Sequence, residues 1–257
     1  MFLTNEVTPN PWLISAQRNS ETTLRLFCFP PSGAGAFLFR SWCNHLPPQI
    51  EVWAVRLPGR ENRLREPFFT EIASLVKTLA PILLPYLQDC PFAFFGHSVG
   101  ALISFELARQ LRLYKCRSPL YLFLSARRAA HIPTDYLLHK QSDVVLIEKL
   151  RKYGGTPEIV LQSTEMMNLF LPIFRADLTL NETYIYSPES PLDCPMTVFG
   201  ATEDTVATRE QLEQWVEHTC NTFDLQMFPG SHMFFKDRPE LLLKTISDRL
   251  ILSLNNI

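Results

Sequence analysis

One serine in this sequence stands in a setting suited to nucleophilic attack on a carbonyl. The apolar run Phe92 to Phe95 leads into Gly96-His97-Ser98-Val99-Gly100, and Ala101 to Leu113 continues at helical spacing, with Leu102, Phe105 and Leu113 among its apolar positions. Strand, GxSxG and helix form a turn so tight that the serine side chain stands clear of the sheet, and the flanking glycines leave room for the strained backbone. A serine hydroxyl is a weak nucleophile. It needs a base, and the base needs an orienting carboxylate; for a serine on such a turn the chain order is serine, acid, histidine.

Six histidines compete for the role of base. His45 and His97 precede or adjoin the serine, and the neighbour of a turn residue points elsewhere. His218 falls in TREQLEQWVEH, which reads as a polar helix with His218 on its solvated face. His131 and His139 open a helical segment, away from any strand end. His232 follows the last predicted strand directly, in Pro229-Gly230-Ser231-His232, and is the expected base. The acid belongs at the carboxyl end of the preceding strand, where Met196 to Phe199 runs into GATEDTV and places Asp204, with Glu203 as its rival. Asp193 lies at the wrong end of that strand, Asp224 inside the next one, and Asp177 in the helical segment.

A tetrahedral intermediate also needs two preorganised N–H donors for its oxyanion, one from the residue after the nucleophile and one from the turn after an early strand. Val99 supplies the first. The second is expected from Ser32 or Gly33, in the small-residue turn Pro30-Pro31-Ser32-Gly33-Ala34-Gly35. Pro31 has no N–H to give. The turn lacks the third glycine of a dinucleotide fingerprint, and neither a phosphate-binding loop nor an HExxH zinc motif occurs, so no cofactor and no metal are expected.

The elements that must hold these residues alternate between short apolar runs and longer helical segments, the signature of a mostly parallel sheet with helices on both faces. Strands are predicted at Leu24 to Phe29, Val52 to Leu57, Phe92 to Phe95, Leu120 to Ser125, Met196 to Phe199 and Phe223 to Phe228. The segment TEIASLVKTLAPILLPYLQ has a core-facing stripe at Ile72, Leu75, Val76, Leu79 and Leu83, and its two prolines are expected to kink or shorten it. Over residues 131–187 the alternation stops. SDVVLIEKLRKYGG, with Ser142 as N-cap and Gly154-Gly155 as stop, and PEIVLQSTEMMNLFLPIFRADLTLNETYIY read as consecutive helices. Such an insertion after a strand of an α/β sheet is most economically a lid over the carboxyl edge, where these sheets bind ligands. Chain 1–257 is accordingly expected to be one domain carrying a lid at 131–187.

Composition narrows the function classes. The chain is 46% hydrophobic and 19% charged, with 24 basic against 26 acidic residues, which excludes a disordered protein and offers no basic footprint for nucleic acid. The apolar stretch Leu79 to Leu87 is broken by Pro81 and Pro85, so no membrane span is expected. The opening MFLTNEVTPNPW lacks a basic segment leading into an apolar one, and the six cysteines never fall as CxxC; a cytoplasmic protein with free thiols is the expectation. Nineteen phenylalanines suit either a large core or a greasy substrate channel.

Beyond the triad pattern, the chain resembles the type II thioesterases, the stand-alone editing thioesterases of polyketide and nonribosomal peptide assembly lines. The resemblance runs from Phe29-Pro30 and its turn through Leu57-Pro58-Gly59-Arg60-Glu61 with Arg63 and the GHSVG segment to Ser125-Ala126-Arg127-Arg128-Ala129. It continues in Tyr153-Gly154-Gly155-Thr156-Pro157, in Leu171-Pro172 with Arg175-Ala176-Asp177, and in Gly230-Ser231-His232-Met233-Phe234-Phe235. Departures are few. Pro31 stands where the family often has a histidine or aromatic residue, Ser32-Gly33-Ala34 replaces an Ala-Gly-Gly-like turn, and Val99 replaces a common methionine.

The resemblance implies an α/β-hydrolase fold and hydrolysis of acyl or aminoacyl groups from the phosphopantetheine arm of a carrier protein. Ser98 is then the nucleophile, His232 the base and Asp204 its orienting acid, with no nucleic acid, membrane or cofactor involved and a monomer as the default state. Met166, Met167, Phe170 and Phe174 are expected to line an acyl channel. Arg60, Arg63, Arg65, Arg127 and Arg128 are candidates to meet an acidic carrier or its phosphate. The rival readings are a medium-chain acyl thioesterase of fatty-acid synthesis, a general esterase, and a non-catalytic interaction protein of the same fold.

Overall fold

The computed structural model describes residues 10–15, 21–134, 136–236 and 238–255. Seven strands form one sheet: β1 (Leu13–Ser15), β2 (Leu24–Phe29), β3 (Ile50–Val55), β4 (Phe92–His97), β5 (Leu122–Ser125), β6 (Met196–Ala201) and β7 (Phe223–Phe228), in the spatial order β1-β3-β2-β4-β5-β6-β7. All neighbours run parallel except β1, which pairs antiparallel with β3 through Ile14 and Ala54. β4 lies at the centre, between β2 and β5. Its side chains alternate as a strand's must: Phe92 and Phe94 enter one core, Ala93 and Phe95 the other.

The first core joins the sheet to α1 (Ile72–Leu87) and α2 (Val99–Leu113); the second joins its other face to α7 (Glu240–Leu254) and to short 3-10 turns at Ala36–Phe39 and Trp42–Asn44. Aromatic rings fill both, with Phe27 edge-on to Phe94 at 6.0 Å and Trp42 against Phe95 at 4.8 Å. Much of the phenylalanine excess is therefore core. Pro81 and Pro85 both lie inside α1, which runs through them as one helix of 16 residues, so they do not shorten it. Its buried stripe, Leu75, Val76, Leu79, Leu83 and Leu87, accounts for that: burying each such side chain stabilises by about 1.5–3 kcal/mol, against about 3 kcal/mol for each interior proline.

Between β5 and β6 the chain builds α3 (Asp143–Tyr153), α4 (Glu158–Leu161) and α5 (Thr164–Glu182), which bury Leu146, Leu150, Leu161, Met167, Leu171 and Phe174 among themselves. Gly154 ends α3 in the left-handed conformation, φ 74°, that favours glycine at a helix C-terminus. The second stretch, expected as one helix, is broken between α4 and α5, where the Ser163 hydroxyl accepts from the Met166 N–H at 3.3 Å and caps α5. α6 (Arg209–Glu213) continues into a 3-10 turn, Gln214–His218, and this unit does not present a polar face throughout: Trp215 and His218 are buried. Among the described residues no helix is long and apolar enough to cross a membrane.

Candidate active site

Ser98 sits between the end of β4 and the first turn of α2 with φ 55° and ψ −121°, a backbone conformation that ordinary residues avoid. The glycines around it are required by contact. A Cβ on Gly96 would lie 2.2 Å from the Gly100 carbonyl oxygen, and one on Gly100 would lie 2.2 Å from that of Phe29. Val99 is the first residue of α2, so its N–H has no partner within the helix.

The loop after β6 brings Asp204 under His232. The carboxylate can only accept, so His232 Nδ1–H donates to Asp204 Oδ2, at 2.9 Å, which leaves Nε2 as the free, basic nitrogen. Asp204 Oδ1 accepts the Val206 N–H at 2.7 Å, and the side chain is fully buried. Glu203, the rival acid, is exposed. The His232 ring is held between two aromatic neighbours, His97 at 5.1 Å and Tyr153 at 5.3 Å between ring centres. The His97 Nδ1 meets the Ser125 hydroxyl at 2.9 Å. Burial, then the facing His232, hold its pKa well below the ordinary histidine value, so it stays neutral. Burial also pushes the Tyr153 phenol up to about 12, with Glu182 and Asp204 adding to the shift.

Ser98 and His232 open into a cavity of about 570 Å³ between the sheet edge and the three-helix segment. Pro31, Ser32, Gly33 and Ala34 border it beside the serine, while Val160, Phe170, Phe174 and Leu178 supply apolar wall. Asn181 and Glu182 add polar wall; Asn181 accepts from Arg127 Nε at 2.9 Å, and Glu182 accepts from His139 Nδ1–H at 2.6 Å. Met166 and Met167, expected in the channel, are not part of it. Met166 is half exposed and Met167 is packed among the helices, because α5 turns Phe170 and Phe174 inward instead.

The turn after β2 distinguishes its two candidate donors. The Gly33 N–H already donates to Asp177 Oδ2 at 2.8 Å, whereas the Ser32 N–H makes no hydrogen bond among those described. Asp177 in turn forms a bidentate, buried ion pair with Arg60, at 2.7 and 2.8 Å. Arg60 is thus an internal residue. So are Arg63, which pairs with Glu66 and lies 4.0 Å over the Trp12 ring, and Arg127, whose pKa burial and then Arg128 lower to about 9. Arg128 borders the cavity, and only Arg65 of the five stands exposed. His218 was likewise misplaced by its polar neighbours. It meets His131 at 2.9 Å, and burial, followed by the nearby His131, lowers its pKa to about 4.

A strained serine turn at the end of the central strand of a mostly parallel sheet, with a histidine from the far end of the chain on the same cavity, defines the class as the α/β-hydrolase fold. Residues 24–250 match the sequence model of the thioesterase domain, and the chain belongs to the thioesterase family; it is a thioester hydrolase. It is 43% identical over 248 residues to the gramicidin S biosynthesis protein GrsT of Aneurinibacillus migulanus, covering 95% of this chain and 96% of that one. Among solved structures it is similar to RedJ, a thioesterase from the prodiginine biosynthetic pathway of Streptomyces coelicolor (TM-score 0.85, 37% identity, 89% of this chain and 91% of RedJ). It is also similar to BorB, the type II thioesterase of the borrelidin biosynthetic cluster (TM-score 0.85, 32% identity, 93% and 97% covered).

Proposed function

We propose that the chain is an editing thioesterase of a polyketide or nonribosomal peptide assembly line, releasing stalled acyl or aminoacyl groups from the phosphopantetheine arm of a carrier protein. One observation carries the catalytic half of this reading: Ser98 and His232 face a single cavity, and Asp204 fixes the His232 tautomer at 2.9 Å. His232 Nε2 takes the proton from Ser98 Oγ as the oxygen attacks the thioester carbonyl, and the Asp204 carboxylate stabilises the imidazolium that forms. The Val99 and Ser32 N–H groups receive the oxyanion. On collapse the carbon–sulfur bond breaks, and His232 returns its proton to the departing thiolate. His232 then takes a proton from water, which attacks the acyl-serine; the second collapse frees the acid and restores Ser98–OH. The three-helix segment acts as the lid, with Phe170 and Phe174 against the acyl chain. Relatedness to GrsT and BorB supports the assembly-line setting, and six free cysteines suit the cytoplasm, where the chain works as a monomer.

The test is release of acid from carrier proteins loaded with acetyl, longer acyl and aminoacyl groups, alongside the matching acyl-CoA thioesters and oxygen esters. Faster release from the carriers, with turnover and fluorophosphonate labelling both lost in Ser98→Ala, is the expected result. A folded wild type that takes no fluorophosphonate label refutes the triad, and a preference for free acyl-CoA or oxygen esters refutes the carrier reading.

A further inference from the structure

The turn expected to receive the oxyanion is held by the lid. From α5, Phe170, Phe174 and Asp177 fall at i, i+4 and i+7, one face of the helix, and all three converge on Gly33. Asp177 Oδ2 accepts the Gly33 N–H at 2.8 Å. A Cβ added to Gly33 would come within 2.5 Å of the Phe170 ring and 3.3 Å of Phe174, so the turn is packed against α5 as well as bonded to it. From the opposite side Arg60 closes the arrangement: it chelates Asp177 and also donates to the Ala34 carbonyl at 2.9 Å. Glu61, itself at a strained φ of 52°, accepts the Phe37 N–H at 3.1 Å and braces the far end of the same turn. The Arg60 and Asp177 side chains are only 5% and 2% exposed, so water does not stand in for either partner.

We propose that Asp177 and Arg60 are positioning residues that make the oxyanion turn, and hence turnover, conditional on a seated lid. When α5 is docked, the Asp177 carboxylate takes up the Gly33 N–H and fixes the peptide plane beside Ser32, which borders the cavity with an N–H that makes no hydrogen bond among those described. When α5 lifts, the turn loses its acceptor and its packing together, and the site cannot stabilise the intermediate. Thioester cleavage is thereby confined to the closed, water-poor cavity. The inference rests on the serine thioesterase reading above.

Its test uses the full chain and a short acyl thioester. Wild-type turnover comes first: its absence would overturn the hydrolase reading together with the inference. Removing one charge alone strands the other in the interior, so the main variant is the double exchange Asp177→Leu with Arg60→Met, which deletes the pair without leaving a buried ion. In that variant kcat is expected to fall about 10²-fold, the scale of a lost oxyanion donor, with KM changed less than about twofold. A trifluoromethyl ketone analogue, which forms an oxyanion on Ser98, should lose affinity by the same factor, whereas an unreactive thioether analogue should bind as to wild type. Unchanged kcat in the folded double variant, or equal losses for both analogues, overturns the inference while leaving the hydrolase reading intact. A second measurement does not depend on the double variant folding. Hydrogen exchange of the amides in residues 32–36 should accelerate in Asp177→Asn relative to the sheet; unaltered protection there overturns it.

Discussion

Asp204 uses both carboxylate oxygens inside the protein, one on His232 and one on the Val206 N–H, so its replacement should separate chemistry from folding. Asp204→Asn keeps the shape, but an amide NH₂ turned toward His232 Nδ1 reverses the tautomer and removes the basic nitrogen from the serine. We expect kcat to fall by about 10⁴-fold with the melting temperature nearly unchanged, measured by steady-state thioester hydrolysis and thermal unfolding. His218 gives a prediction of opposite kind, on stability alone. Its folded pKa of about 4 lies below the unfolded value near 6.5, so the unfolded chain binds the extra proton first. Stability is therefore intact above pH 6.5 and is lost as pH falls toward 4, by on the order of 3 kcal/mol at the limit. Among the described residues, its surroundings, His131, Tyr186, Arg109 and Arg127, offer a new proton no carboxylate in contact. Urea midpoints at pH 7 and pH 5 should draw closer together in His218→Gln than in wild type; parallel losses would refute the assignment. These two residues also mark what sequence reveals at this scale. The grouping that brings Ser98 and His232 to one cavity, with Asp204 on the His232 ring, was legible because a local motif, chain order and strand ends locate those three residues. His218, Arg60 and Arg127 were not, since the partners that bury them, His131, Asp177 and Asn181, stand 87, 117 and 54 residues away in the chain.

Among the elements, β2 and β7 fall where their apolar runs predict, Leu24–Phe29 and Phe223–Phe228, because both are bounded by clear turn residues. β1 was invisible: three residues pairing with the edge of β3 carry too little pattern to register. The helices between β5 and β6 show how a side chain can outweigh periodicity. Helical spacing runs without a break from Glu158 to Glu182, yet Ser163 stops one helix and starts the next by capping α5. Ser163→Ala should cost about 1 kcal/mol through the loss of that cap, read as a lower urea midpoint. Since α5 carries Phe170, Phe174 and Asp177, the same variant should also lower kcat, and unaffected turnover would mean that the start of the helix frays without disturbing the part that meets the turn.

At the scale of the molecule, the sheet does two jobs on its two sides and a third at its edge. Buried aromatic rings fix the strands so firmly that β4 can deliver Ser98 on a backbone no relaxed chain would choose. Such strain costs on the order of 1–3 kcal/mol and persists only because its surroundings over-determine it. Glycine adopts a positive φ freely, though it gives back up to about 1 kcal/mol through the greater freedom of the unfolded chain. Ser98→Gly should therefore unfold at a higher temperature than Ser98→Ala, and equal melting points would cap the stored strain at about 1 kcal/mol, the freedom glycine gains in the unfolded chain. If the glycine variant also exceeds wild type, a dead enzyme outlasts a working one. Random mutation screened for robustness alone would then erode this protein at the residue proposed as its nucleophile, and only selection on turnover would hold the serine in place.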